Sequence, residues 1–173
     1  NDCFFCIKEN LTAFISRNLL FRESKPCHYI YRLIMNGRSQ TGLVCGSSVD
    51  DYENDLIKKH EFTRPEKELD RINHIKTTGA QTGNVFLAYK NISAIDEIIE
   101  NWCSKNPQYD FIAEDDIQHS IWIVNDDKVI KKITDIFKTK VPCTYIADGH
   151  HRAASAAKVR SALGKKATEN TNY

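Results

Sequence analysis

The sequence predicts a mixed α+β fold in which a small mixed sheet is flanked by helices. Apolar residues recur at helical spacing in several segments, the first of which covers residues 3–21. The pair Asn36-Gly37 separates runs of aromatic and β-branched residues, which is the strongest short signal for a β-hairpin. Later in the chain, a short strand at 143–147 runs directly into Gly149 and an alanine-rich helix.

The same patterns predict the other elements, with helices and short strands alternating along the chain. One short predicted helix is capped by Asp50 and Asp51 and continues to Lys59, and another begins at Pro65 and ends within 77–80. The other predicted helices cover 3–21, 92–104, 128–138 and 151–163. The predicted strands are the hairpin at 27–46, 84–89, two strands within 109–124 that turn near Asp115-Asp116, and 143–147. The apolar face of the last strand before the 128–138 helix is expected to comprise Ile117, His119, Ile121 and Ile123.

The composition is typical of one compact domain, since 173 residues with 41% hydrophobic and 27% charged content can form a core. The formal net charge of +1 arises from 24 basic and 23 acidic residues, so the chain lacks the field that drives non-specific duplex binding. No stretch approaches the roughly 18 apolar residues that cross a bilayer. We therefore expect a cytoplasmic protein with neither a membrane nor a nucleic acid as partner, and the oligomeric state stays open.

The six cysteines are expected to be free thiols, because a chain of this size does not need disulfides to supplement its core. Cys3 and Cys6 have the spacing of half a zinc site, but no second pair completes it. The chain starts at Asn1 without a methionine and stops in a polar run at 167–173, so we expect it to be a fragment of a longer protein.

The run Asp148-Gly149-His150-His151-Arg152 is the main candidate binding site. A strand that ends at a glycine and continues as a helix directs the unpaired N–H groups of the first helical turn toward one point, where an anion binds well. Arginine adds a fork suited to phosphate oxygens, and the histidines add donors. Two alternatives are a structural turn in which the aspartate caps the helix, and a metal site made by the two histidines. The second is disfavoured because adjacent helical residues point about 100° apart.

A second cluster of ionisable residues lies between the two predicted helices that follow the hairpin. It contains His60, Glu61 and Arg64, and it continues into the next helix with Glu68 and Arg71. Such a junction can bring side chains to a site while the flanking helices stay rigid. The alternative is an exposed surface of ion pairs, which is the usual role of alternating Lys and Glu on a helix.

The run at 147–152 resembles the signature of the ParB/sulfiredoxin-like superfamily, whose members place such a turn on the phosphates of a nucleotide. Residues 71–79 and 85–89 are similar to the helix and strand that precede this signature. Within the superfamily, the chain is most similar to a large bacterial family of unknown function, which has both the 147–152 run and the block found here at 60–71. The resemblance extends over about residues 27–163 and implies one domain with a nucleotide-binding fold.

The relatives with a known reaction that this resemblance indicates are the free serine kinases, which phosphorylate serine with ADP and share the Asp-Gly-His-His-Arg signature. Their upstream His-Glu pair is similar to His60-Glu61, and by this likeness Glu61 is the expected catalytic base. Glu68 is the second candidate carboxylate, and one residue is inserted before it relative to the pattern of these kinases. The resemblance therefore implies a kinase for a small hydroxyl metabolite, with free L-serine as the first candidate.

The residue types suit phosphoryl transfer, which needs a base for the acceptor hydroxyl and positive charge around the phosphate oxygens. Arg152, with the two histidines before it, is expected to neutralise the phosphates of ADP or ATP, and Asp148 to hold Mg²⁺. Arg64 and Arg71 are expected to bind a substrate carboxylate. A P-loop enzyme is excluded because the chain has no P-loop motif.

Two other functions remain open from the sequence. A nucleotide-binding regulatory module would use the same turn without needing Glu61. A DNA-associated, partition-like regulator would need a helix-turn-helix and a basic face, neither of which is visible in this chain. Sulfiredoxin chemistry is not expected, because His150 occupies the position where a reductase of that type carries its cysteine.

Overall fold

The computed structural model describes residues 2–164, with side chains from residue 4 onward, and confirms the α+β class. The helices of this part of the chain are α1 (Asp2–Ser16), α2 (Val49–Glu53), α3 (Pro65–Thr78), α4 (Ser93–Cys103), α5 (Asp127–Lys140) and α6 (His150–Leu163). Its strands are β1 (His28–Met35), β2 (Arg38–Val44), β3 (Ile57–Lys58), β4 (Phe86–Ala88), β5 (Tyr109–Ile112), β6 (Gln118–Val124) and β7 (Thr144–Asp148). The polar run at 167–173 lies outside the described residues.

The strands form two sheets, whereas the sequence predicts one. Four strands pair in the order β2-β1-β6-β5, and all three pairings are antiparallel. The other three pair in the order β3-β7-β4, with β3 parallel and β4 antiparallel to β7. The described chain divides accordingly into two compact units, one made from 23–46 and 90–142, the other from 2–22, 47–89 and 143–164. Whether both belong to one domain stays a prediction.

The four-stranded sheet belongs to the first of these units and begins with the predicted hairpin. Asn36 and Gly37 have φ angles of 51° and 77°, the positive values that a two-residue turn of this kind requires. One core cluster of the unit consists of Ile30, Trp122 and Val124, against which side chains of α4 and α5 pack. The indole N–H of Trp122 donates to the carbonyl of Lys105 at 2.9 Å, which satisfies its one polar atom.

The buried face of β6 is the opposite of the predicted apolar face. Ser120, Trp122 and Val124 are buried, while His119, Ile121 and Ile123 are half-buried. Both faces of this strand carry apolar residues, so alternation alone does not identify the face that the helices cover. The large indole of Trp122, which packs against the residues of α4 and α5, lies on the covered face.

Two predicted helices end earlier in the structure than the sequence indicates. α1 stops at Ser16 because Asn18 adopts a left-handed conformation, with φ of 54°, and the next N–H groups turn back to the carbonyl of Phe14. α2 stops at Glu53, and its cap is the Ser48 hydroxyl, which accepts from the Asp50 N–H, so Asp50 and Asp51 lie inside the helix. The chain before Lys59 is then the strand β3.

The three-stranded sheet belongs to the second unit and places the candidate site. β7 is its central strand, so the chain leaves the middle of the sheet at Asp148 and enters α6 directly. α3 lies beside α6 and also contacts α1. α3 begins at Pro65 and ends at Gly79, which has φ of 70°, so both predicted ends of this helix are confirmed.

Two further expectations from the sequence concern membrane spans and cysteines. Among residues 2–164, none of the helices has both the length and the apolar character that a membrane span requires. The five cysteines whose side chains are described, Cys6, Cys27, Cys45, Cys103 and Cys143, are free thiols. The side chain of Cys3, one of the two cysteines of the half zinc site, lies outside the described residues.

Replacement of Ile30 by alanine is expected to destabilise the protein by about 2–5 kcal/mol, because Ile30 is fully buried and the change leaves a cavity. The free energy of unfolding in urea measures the loss. Ile112, which is exposed on β5 in the same sheet, provides the control, and Ile112→Ala should cost less than about 0.5 kcal/mol. Equal losses for the two variants would contradict the assignment of the core.

Candidate functional site

Gly149 forms the turn between β7 and α6, as the sequence predicts. Its φ of 98° is one that side-chain-bearing residues rarely adopt. A Cβ atom here would lie 3.1 Å from Nε of Arg152 and 3.3 Å from Cα of Val85. Both the backbone conformation and the close approach of the neighbouring chain therefore require glycine.

The N-termini of α3 and α6 lie side by side. The Arg64 N–H, at the start of α3, donates to Nε2 of His151 at 3.1 Å, and the Ser155 hydroxyl donates to the Glu68 carbonyl at 3.3 Å. Because the bonded pairs advance together along both helices, the helices run in the same direction. Neither N-terminus has a side-chain cap within the described residues, so two positive helix ends face the same region.

Glu61 and His60 meet His150 at this end of the helices. Nδ1 of His150 lies 3.4 Å from Oε2 of Glu61, and the ring of His60 packs edge-on against that of His150, with centroids 4.4 Å apart. His150 is only 5% exposed, whereas Glu61 and His60 are exposed. The structure thus joins the two regions that the sequence singles out separately.

The buried ring of His150 has an unusual hydrogen-bonding state. Its Nε2 atom is buried and has no hydrogen-bond partner among the described residues. A buried polar atom without a partner costs on the order of 1–3 kcal/mol, so such atoms are rare in folded proteins. The position of His150 is therefore not one that folding stability alone favours.

His151 connects the loop before α3 to α6. Because Nε2 of His151 accepts a hydrogen bond from the Arg64 backbone, that nitrogen is unprotonated, and the ring proton of this neutral histidine is on Nδ1. The two adjacent histidines therefore differ in role: His150 lies against Glu61, and His151 fixes the loop. They do not share one partner, consistent with the divergence of neighbouring helical side chains.

Asp148 and Arg152 interact with each other and with the loop before β4. The guanidinium of Arg152 donates to Oδ2 of Asp148 at 2.5 Å and also to the carbonyl of Asn84. It lies against Gly83, where a Cβ would come within 3.1 Å of its Cδ. In this structure two N–H groups of Arg152 thus stabilise the turn, and its predicted contact with phosphate stays a prediction.

Asp148 is the candidate ligand for Mg²⁺. Its carboxylate is exposed, and one oxygen accepts from Arg152. No group of three or more His, Cys, Asp or Glu side chains within the described residues could hold a metal ion. Mg²⁺ bound with a nucleotide needs only one or two carboxylates in addition to phosphate oxygens, and Asp148 fits that requirement.

Glu68 is a buried residue whose ion pair links α3 to α6. It is 5% exposed, and its two carboxylate oxygens accept from the Lys158 ammonium and the Thr63 hydroxyl. These two donors, mainly Lys158, lower the pKa of Glu68 below its ordinary value. This environment suits a structural link between α3 and α6, while the predicted catalytic role of Glu68 stays a prediction.

The two arginines proposed for substrate binding lie on the same helix at different distances from the site. Arg64 is the N-cap of α3, next to the cluster, and its side chain is exposed. Arg71 is seven residues further along, which corresponds to about 10 Å of helix. Position therefore favours Arg64 as a ligand for a substrate group at the helix N-termini.

Some site residues are not identified by the sequence reasoning. Gly83 and Asn84 contact Arg152, while Thr63 and Lys158 hold Glu68. The small polar run Thr82-Gly83-Asn84 is a signal for a close backbone approach next to a binding turn. The pairing of Lys158 with Glu68 has no comparable signal, because 90 residues separate them.

Comparison with known proteins gives one match. The sequence model of a family described as a protein of unknown function, DUF1015, matches residues 4–173. No curated protein and no solved structure matches the chain. The sequence-based assignment to a family of unknown function is confirmed in this form.

Replacement of Gly149 by alanine is expected to cost about 2–4 kcal/mol, because it combines an unfavourable φ with a clash against the Val85 backbone. Gly79→Ala is the matched control, since φ there is 70° and no atom lies within 4 Å of the added Cβ. This control should cost only about 1–2 kcal/mol. Urea unfolding compares the two, and a smaller loss for Gly149→Ala would argue against the close contact.

Glu68→Gln is expected to lower the free energy of unfolding by about 1–2 kcal/mol at pH 7, a modest loss because Lys158 is half exposed. The pKa of Glu68 is lowered by folding, so its contribution is fully present above the ordinary value of 4.5. The contribution disappears as the pH falls through the lowered folded-state value. Urea unfolding between pH 7 and pH 3 should show the difference from the unmodified protein narrowing on acidification.

The exposed Glu66, in the first turn of the same helix, is the control for that measurement. Glu66→Gln should change stability by less than about 0.5 kcal/mol at every pH. A Glu68→Gln difference that is independent of pH would contradict a stabilising ionised carboxylate.

Proposed function

Because the chain belongs to the DUF1015 family, whose function is unknown, we propose its function from the site: a phosphotransferase that uses ADP or ATP to phosphorylate a small hydroxyl metabolite. The observation that carries the proposal is the approach of Glu61 Oε2 to 3.4 Å from Nδ1 of His150 at the N-terminus of α6. This contact places the candidate base, Glu61, beside the candidate phosphate site at the start of α6.

The phosphate site is supported by the convergence of the two helix N-termini. First-turn N–H groups without side-chain caps and two positive helix dipole ends attract an anion. The glycine at position 149 lets a phosphate approach the backbone closely. The net charge of the whole chain is only +1, but an anion at this site is attracted by the helix dipoles, whose effect is limited to the first turn of each helix.

In the proposed reaction, the acceptor hydroxyl gives its proton to the Glu61 carboxylate while its oxygen forms a bond to the terminal phosphorus. The bond from that phosphorus to the bridging oxygen breaks, and its electron pair leaves with the shortened nucleotide. His150 orients Glu61 through their contact, and the helix N-termini stabilise the charge on the phosphate oxygens. Glu61 is exposed, so an acceptor can reach it.

Mg²⁺ would be held by Asp148 together with phosphate oxygens, and it would supply charge neutralisation during transfer. Asp148 and its bonded partner Arg152 lie at the turn itself, immediately before and within the first turn of α6. Rotation of the Arg152 guanidinium away from Asp148 would direct its fork at the same phosphates.

Free L-serine is the first candidate acceptor. It rests on the resemblance of His60-Glu61 and of 147–152 to the free serine kinases of the ParB/sulfiredoxin-like superfamily. Arg64, exposed at the start of α3, suits the carboxylate of an amino acid.

A second candidate is a nucleotide-binding regulatory module without transfer activity. The observation that favours it is that the guanidinium of Arg152 already donates hydrogen bonds to Asp148 and to the Asn84 carbonyl. These N–H groups therefore stabilise the fold in this structure and do not point to a phosphate. Glu61 separates the two functions, because only the phosphotransferase needs its carboxylate.

Glu61→Gln is expected to lower phosphoryl transfer by at least about 100-fold, because the amide keeps the shape of the side chain and cannot accept a proton. Phosphorus NMR of the protein with Mg²⁺, ADP or ATP, and serine measures the product. Glu66→Gln, a control on the exposed surface of α3, should retain full activity.

The result also depends on nucleotide binding, which calorimetry measures for the same proteins. The phosphotransferase would be supported if all three proteins bind the nucleotide equally and only the unmodified protein and Glu66→Gln transfer the phosphoryl group. Nucleotide binding without transfer to serine by any of them would reject the serine kinase and favour the regulatory module.

A further inference from the structure

Phe62 is the most exposed aromatic residue at the candidate site. Its exposure is 100%, so its ring contacts no other part of the described protein. It follows Glu61 directly in the loop between β3 and α3. A single exposed apolar ring is common on protein surfaces, and what distinguishes Phe62 is its place directly after the candidate base, in the loop that leads to the N-terminus of α3.

The loop around Phe62 is fixed at three points. Glu61 contacts His150, the Thr63 hydroxyl donates to Glu68, and the Arg64 N–H donates to His151. The residues on both sides of Phe62 are therefore attached to α3 and α6. Phe62 therefore lies in a loop that is anchored to both helices near their N-termini, and its ring is exposed there.

We propose that Phe62 is the stacking surface for the base of the nucleotide whose phosphates bind at the N-terminus of α6. This inference rests on the proposed function and assigns it a base-binding residue. Among the proposed reactants, only the nucleotide has a planar face of a size that an aromatic ring can cover. A small hydroxyl metabolite such as serine has none.

The surroundings of Phe62 argue for a small planar ligand over a protein partner. Protein interfaces use contiguous apolar patches. In the loop, however, the exposed neighbours of Phe62 are His60, Glu61 and Arg64, all polar or charged. A single ring among such residues matches a nucleotide, whose base stacks while its phosphates lie near positive helix ends.

The test compares binding of ADP and inorganic pyrophosphate, both with Mg²⁺, by titration calorimetry. Pyrophosphate has the phosphates of ADP without the base. Phe62→Ala is expected to weaken ADP binding about 10-fold and to leave pyrophosphate binding within about 2-fold, because only stacking is lost. Phe62→Trp should retain ADP binding.

Phe5 on α1, with 60% exposure, provides the control, and Phe5→Ala should bind both ligands normally. Because the ring of Phe62 is not buried, Phe62→Ala should unfold at the same temperature as the unmodified protein, so a folding defect is not expected to obscure the result.

The outcomes are distinguishable. Unchanged ADP binding by Phe62→Ala, or an equal loss for ADP and pyrophosphate, would overturn the role of Phe62 while leaving the phosphate site intact as a proposal. Failure of the unmodified protein to bind either ligand would instead overturn the proposed function and this inference with it.

Discussion

The hydrogen bond from the Arg64 N–H to Nε2 of His151 is the interaction on which the geometry of the candidate site depends. It joins the N-cap residue of α3 to the first turn of α6 and so places the two helix ends at the same level. The loop that contains Glu61 is thereby held near His150. The donor is the backbone N–H of residue 64, so this bond does not depend on which side chain that residue carries. The proline at position 65 lacks an N–H of its own and leaves that of residue 64 in place.

Two glutamates in one short stretch have opposite environments, which separates their roles. Glu61 is exposed beside a buried imidazole, while Glu68 is buried and neutralised by Lys158. A carboxylate already occupied by an ammonium and a hydroxyl is poorly placed to receive a proton from a substrate. Glu68 thus stabilises the helix pair, and this leaves Glu61 as the carboxylate that is accessible to a ligand.

The sequence predicts what depends on local chemistry. The Asn36-Gly37 hairpin, the start of α3 at Pro65 and the Gly149 turn are all correct, because φ preferences act within a few residues. Three features depend on which distant segment lies alongside, and no local sequence pattern contains that information. They are the division into two sheets, the buried face of β6 and the short strand β3. The same limit applies to the candidate site: the glycine turn at 149 follows from its residue type, while the role of Glu61 as a base stays a prediction from the resemblance. The contact of Arg152 with Asn84 and the pairing of Lys158 with Glu68 join distant segments, and no local pattern indicates them.

The candidate site has its two halves on chain segments far apart in the sequence, with 87 residues between the partners of the Arg64–His151 bond. During synthesis, the loop with Glu61 therefore leaves the ribosome well before the helix that completes the site, and β5 and β6 of the other unit emerge in the interval. Closing a loop of that length lowers the conformational entropy of the chain, and contacts such as those between α3 and α6 offset this cost. The candidate site is thus among the last parts of the described chain to form, and it is incomplete until α6 has docked.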